Sequence, residues 1–187
     1  MASKVAMAVT LSIPLSAMAE GSGNAVVHAL IPTSAFVQAG VGDQNTRAYV
    51  GGLTWEPPWH HQPGPVALGG YFEAAFGKWS TRQGGVNSST WISQISLTPV
   101  LRLRSTGALQ PWFAEIGVGA NYIVPLFETG HKRFSTNFNF GDHLGIGRDF
   151  GPHELAARLQ HFSNAGIGHP NPGENFVQLR YAYRFGG

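Results

Sequence analysis

A two-residue alternation of apolar and polar side chains, recurring along most of the chain, constrains this fold more than any other feature. In the last segment Val177, Leu179, Tyr181, Tyr183 and Phe185 share one parity, and Gln178, Arg180, Ala182 and Arg184 share the other. Successive side chains of a strand point to opposite faces, so such a segment is a strand with one apolar and one polar face. Segment 111–124 repeats the pattern, with Trp112, Ala114, Ile116, Val118, Ala120, Tyr122 and Val124 set against Glu115, Gly117, Gly119 and Asn121. Segment 91–104 does so again, with Trp91, Ile95, Leu97, Leu101 and Leu103 opposite Gln94, Ser96, Thr98, Arg102 and Arg104. With the turn signals between such runs, the pattern predicts strands at 35–43, 46–56, 66–80, 91–104, 111–124, 138–150, 154–165 and 176–185. That even number lets an all-β antiparallel sheet close into an eight-stranded barrel with both termini at one end. The faces are least clean at 66–80, and Asp142 interrupts the apolar parity of 138–150.

Parity alone does not say which face is outside. A soluble barrel turns its apolar face inward around a core or a ligand, whereas a transmembrane barrel turns it toward lipid. Charged residues make up only 12 % of the chain, about half of the roughly 25 % usual for a soluble domain, which favours lipid. The N-terminus favours it too. Lys4, the apolar run 5–15 and Ala17-Met18-Ala19 before Glu20 form a secretory signal over residues 1–19, leaving 20–187 as the mature barrel. No later run of 18 or more apolar residues offers a helical span. Aromatic residues near strand ends, with Trp55, Trp59 and Trp112 toward one rim and Trp79 and Trp91 toward the other, are expected to form interfacial girdles. A formal charge of +2 without a basic stripe argues against nucleic-acid binding, and the absence of cysteine excludes thiol nucleophiles and disulfides.

If the chain starts in the periplasm, odd-numbered strands run outward, and segments 44–45, 81–90, 125–137 and 166–175 are external. The seventh strand then carries a polar pair to the outer rim. Leu155, Ala157, Leu159, His161 and Ser163 share its apolar, outward parity. His161 and Ser163 are two residues apart on one face, the relation a serine nucleophile has to its general base. The alternative is that the strand has already reached the headgroup zone, where histidine and serine are harmless; spacing alone does not separate the two. Arg47, Arg82, Lys132 and Arg133 lie at or near the external segments, where they would meet lipid phosphates or water.

Residues 161–175, His-Phe-Ser-Asn-Ala-Gly-Ile-Gly-His-Pro-Asn-Pro-Gly-Glu-Asn, closely resemble the signature of the outer-membrane lipid A 3-O-deacylases (PagL-type deacylases). The resemblance extends more weakly through Val37-Gln38-Ala39-Gly40-Val41-Gly42, Gly70-Tyr71-Phe72-Glu73-Ala74 and the closing Tyr183-Arg184-Phe185. It implies an eight-stranded barrel in the Gram-negative outer membrane that hydrolyses the ester-linked acyl chain at the 3-position of lipid A. It further implies that Ser163 is the nucleophile, that His161 is its base, and that Asn164 supports the oxyanion together with the backbone N–H of Gly166. In the family pattern a glutamate twelve residues after the serine orients the histidine. Here that position is Asn175, and Glu174 precedes it. Either Glu174 reaches His161 through a shifted turn, or Asn175 orients it as an amide; the carboxylate of Glu174 is preferred because it also stabilises an imidazolium. The expected partners are lipid A within lipopolysaccharide and outer-membrane lipid, with no nucleic acid and with a homodimer left open. The chemistry requires no cofactor. The rival readings are a non-catalytic outer-membrane barrel with a structural or adhesion role, and a soluble barrel around an apolar ligand.

Overall fold

The computed structural model describes residues 31–82 and 89–186; the expected signal segment 1–19 lies outside them. Eight strands follow one another: β1 Ser34–Gly42, β2 Arg47–Trp55, β3 Val66–Arg82, β4 Ser89–Ser105, β5 Trp112–Val124, β6 Phe138–Phe150, β7 His153–Ser163 and β8 Glu174–Arg184. Each pairs antiparallel with the next, and β8 pairs back onto β1, closing the barrel. Closure leaves no sheet edge, as a barrel in lipid requires. One end carries the first and last described residues, tied where the Phe185 N–H donates to the Thr33 carbonyl at 2.8 Å. The other end carries the β1–β2, β5–β6 and β7–β8 connections.

The apolar parity faces out. Ile116, Val118, Leu144, Ile146, Leu159, Val177 and Leu179 are all exposed on the outer surface, while Gln178 and Arg180 beside them are buried in the lumen. That ordering is the reverse of a soluble barrel and matches a lipid-facing one. The lumen is packed. Between its charged and aromatic layers lies a cavity of only about 20 Å³, lined by Gln38, Gln94, Asn121, His143, Gln178 and neighbours. Toward the terminal end, Arg102, Arg158 and Arg180 interlock with Glu73, Glu115 and Glu154: Arg158 Nε donates to Glu115 at 2.8 Å, and Arg180 Nη1 to Glu154 at 2.6 Å. Buried charges need such mutual pairing. Interior glycines make the space, since a Cβ at Gly117 would overlap the His143 ring.

Toward the opposite end the lumen is closed by Trp79, Ile92, Ile123, Phe127, Phe134, Phe162 and Phe176. This corrects the expected girdle at one position. Trp79 has the parity of Glu73, Ala75 and Gly77, so it points inward; it is fully buried, and its indole N–H donates to Gln94. Trp59, Trp91 and Trp112 are exposed. The strands also differ from expectation at their ends. β3 and β4 run longer, to Arg82 and from Ser89, β7 stops at Ser163 instead of 165, and β8 begins at Glu174. The last two shifts shape the site.

Candidate active site

β7 delivers His161 and Ser163 to the outer face, both half-buried, while Phe162 between them enters the aromatic plug. Two neighbours flank His161 on that face. Asp142 of β6, the residue that breaks the apolar parity, is in register with it on one side, and Asn175 of β8 on the other. His161 Nδ1 and Asn175 Oδ1 are 2.7 Å apart. An amide oxygen only accepts, so Nδ1 carries the proton and Nε2 is left as the basic nitrogen. Among the described residues no hydrogen bond joins His161 to Ser163; base–nucleophile bonds of this kind commonly tighten only with substrate bound.

Glu174 does not reach His161, contrary to the preferred expectation. β8 alternates like every other strand, and its outward parity is that of Val177 and Leu179, which Asn175 shares. Glu174 has the opposite parity. It is fully buried, and its Oε2 accepts from Lys132 Nζ at 3.1 Å. No shift of the turn is needed or present, because β8 is already in register with β7 at Asn175.

Asn164 also differs from expectation. The chain leaves β7 after Ser163 and turns, with Ala165 at φ 53° and Gly166 at φ 85°. Asn164 is buried inside that turn, and each of its groups has a partner. Its Nδ2 donates to Ser135 Oγ at 2.9 Å and to the Gly168 carbonyl at 3.0 Å, and its Oδ1 accepts from the Gly166 N–H at 2.9 Å. Its own backbone N–H donates to Asn171 Oδ1 at 3.1 Å. The side-chain amide and the Gly166 N–H, both expected to meet an oxyanion, are thus engaged with each other and with the loop. Asn164 holds the turn that follows the serine.

Three further residues contribute to the site, a part that the sequence does not assign to them. Gly173, at φ 67°, lies against the imidazole: a Cβ there would come within 2.7 Å of His161 Cε1. Lys132, in the β5–β6 connection, bonds Asp43 Oδ2 at 2.6 Å and the Gly173 carbonyl at 3.0 Å besides Glu174. Asp43, in the 3-10 turn Asp43–Asn45 between β1 and β2, accepts in addition from Asn175 Nδ2 at 3.2 Å. The Lys132 hydrogen bond holds the Asp43 carboxyl below its ordinary value, against a smaller opposing effect of burial. Burial disfavours the Lys132 ammonium, but its bonds to Asp43 and Glu174 outweigh that and keep it above its ordinary value. Of the other loop cations, Arg133 lies 4.0 Å from Glu128 on the surface, too weak a contact to order it. The side chain of Arg82 lies outside the described residues.

Comparison with known proteins adds identity to this geometry. The sequence profile of the family described as lipid A 3-O-deacylase (PagL) matches residues 46–184. A lipid A deacylase PagL of Bordetella bronchiseptica is 35 % identical over 153 residues, covering 78 % of this chain and 80 % of that protein. A second, from Pseudomonas aeruginosa, is 29 % identical over 177 residues, covering 90 % of this chain and 95 % of that protein. The crystal structure of the outer membrane enzyme PagL superposes with a TM-score of 0.72 at 24 % identity, covering 81 % of this chain and 99 % of that one, and so shares the fold. Together with the outward apolar face, these matches define an outer-membrane β-barrel ester hydrolase. The chain belongs to the lipid A 3-O-deacylase (PagL) family.

Proposed function

We propose that the barrel removes the 3-O-linked acyl chain of lipid A through Ser163 as nucleophile, His161 as general base and Asn175 as the group that steadies the base. The observation that carries this reading is the 2.7 Å contact between His161 Nδ1 and Asn175 Oδ1 on the lipid-facing side of the rim. It leaves Nε2 as the proton acceptor on the face that also presents Ser163. Lipid A is itself a component of the outer leaflet, so substrate reaches that face laterally, without entering the packed lumen.

In the first half of the reaction the Ser163 hydroxyl attacks the ester carbonyl carbon as His161 Nε2 takes its proton. The tetrahedral intermediate collapses with cleavage of the bond to the sugar oxygen. His161 returns the proton to that oxygen, freeing the 3-hydroxyl and leaving an acyl-Ser163 ester. In the second half His161 deprotonates water, which attacks the acyl ester and releases the fatty acid with Ser163 restored. The N–H groups of Asn164, Gly166 and Ile167 are engaged within the turn after Ser163, so the N–H of Ala165 is the group of that turn left to stabilise the oxyanion. A single well-placed donor of this sort contributes about 3–4 kcal/mol, and Asn164 acts by holding that turn. Mass spectrometry of lipid A from cells expressing the protein tests the reading. The expected result is loss of the 3-O-acyl chain with the native protein and none with Ser163→Ala. Unchanged deacylation by folded Ser163→Ala would refute it.

A further inference from the structure

An amide in the place of a carboxylate raises a problem that a carboxylate does not have. Both oxygens of a carboxylate accept, so either can face a histidine N–H. An asparagine has one accepting and one donating end, and a half-turn of its side chain exchanges them. With the NH2 end toward His161, Nδ1 would have to accept; the ring proton would move to Nε2, and the base would be lost. Asn175 stands on the exposed side of β8, and its amide end-for-end choice is decided by its hydrogen-bond partners.

The other partner is Asp43. Its ionised carboxylate can only accept, and it takes Asn175 Nδ2 at 3.2 Å, which turns Oδ1 toward His161 Nδ1 at 2.7 Å. Asp43 is itself fixed. Lys132 Nζ grips the same Oδ2 at 2.6 Å and reaches on to the Gly173 carbonyl, next to the imidazole. The turn that bears Asp43 has a set shape: Gln44 and Asn45 adopt φ 55° and 62°, and the Gly42 N–H donates to the Thr46 carbonyl at 2.7 Å. Two consecutive left-handed residues that are not glycine persist only where their surroundings hold them.

We propose that Asp43 is a positioning residue of this site, whose carboxylate sets the orientation of the Asn175 amide and thereby the tautomer of His161. The inference rests on the Ser163–His161–Asn175 reading above. It connects a turn at the start of the barrel to a base on its seventh strand.

A double-mutant cycle on the purified full-length barrel in mixed micelles of detergent and lipopolysaccharide tests it. Asp43→Ala is expected to lower kcat roughly 10- to 100-fold, as loss of the group that orients a metal-bound histidine does, with KM within about twofold. In the Asn175→Asp background both ends of residue 175 accept, so Asp43→Ala is expected to cause no further loss, and the rate rises if two adjacent carboxylates repel. Nitrogen-15 NMR of His161 supplies the direct readout: protonated Nδ1 in the native protein, and a mixture of tautomers or protonated Nε2 in Asp43→Ala. An equal fold-loss in both backgrounds would overturn the proposal, because a role confined to anchoring loops does not depend on residue 175. So would a native tautomer in folded Asp43→Ala. Activity persisting in Ser163→Ala would instead defeat the reading beneath it, so the two failures are distinguishable.

Discussion

At the scale of single residues, the site depends on close contact around an imidazole that is only half-buried. Gly173 is the sharpest case. Its φ of 67° is left-handed, and the space a Cβ would need is taken by His161 Cε1 at 2.7 Å. Gly173→Ala therefore has to displace the ring or the turn. Misplacement of a catalytic group by about 1 Å costs on the order of 100-fold in rate, so kcat should fall by about that much. The barrel, in whose strand pairing Gly173 takes no part, should keep its native thermal unfolding in detergent. Initial-rate assays beside circular dichroism melts check both halves. The Glu174 expectation failed at this scale, and the means to avoid it were in the sequence. The alternation that turned His161 outward on β7 also turns Val177 and Leu179 outward on β8, and it assigns Asn175, not Glu174, to that face.

At the scale of elements, the connections at the active end act together. Lys132 ties the β1–β2 turn through Asp43, the β7–β8 loop through the Gly173 carbonyl, and β8 through Glu174. Those partners are 89, 41 and 42 residues away in the chain. No local pattern encodes such a meeting, and from the sequence these side chains read as loop charges. The strands were legible because their information is local and repeated; the tie between loops was not, because closure of the barrel creates it. The pH behaviour follows from the two shifts. The Asp43 carboxyl is held below its ordinary 3.8, so its contribution is complete above that value and is lost only as pH falls through the lowered one. The Lys132 ammonium is held above its ordinary 10.5, so its contribution is complete below that value and is lost only as pH rises through the raised one. The Asp43–Lys132 pair itself is expected to hold unchanged from about pH 5 to pH 9; the bond to the buried Glu174 carboxyl is a separate equilibrium. In Glu174→Gln, where Asp43–Lys132 is the remaining ion pair of the tie, limited proteolysis of the segment 125–137 should proceed equally at the two pH values, and faster at both when Lys132→Met is added. Protection that changes between pH 5 and pH 9 in Glu174→Gln would overturn the Asp43–Lys132 ion pair.

At the scale of the whole molecule, the same alternation divides the labour of the barrel. One parity faces lipid, and the other builds a packed lumen with an ion-pair layer. Arg158 donates to both Glu73 and Glu115 and is buried with them. Arg158→Met leaves Glu73 without its principal partner and takes from Glu115 one of its two arginine partners, Arg102 remaining, and loss of one member of a buried ionic network costs about 3–5 kcal/mol. Urea unfolding in lipid vesicles should register that loss even though the site is at the other end. Leu179, mid-strand and 62 % exposed, tests the outer face. In a bilayer Leu179→Arg should destabilise the barrel by about 2–4 kcal/mol, a result foreign to an ordinary water-exposed position. Residue types in the lumen were legible as polar parity, whereas which arginine meets which glutamate depends on the stagger of strands around the barrel.

A serine and a histidine on the outward face of β7, steadied by Asn175, form the reactive centre we propose. Labelling with a lipophilic fluorophosphonate, followed by peptide mass spectrometry, tests it most directly. One adduct is expected, on Ser163, that disappears in His161→Ala, weakens in Asn175→Leu and persists in Glu174→Gln. An adduct on another residue, or full labelling of Ser163 in a folded His161→Ala protein, would contradict it.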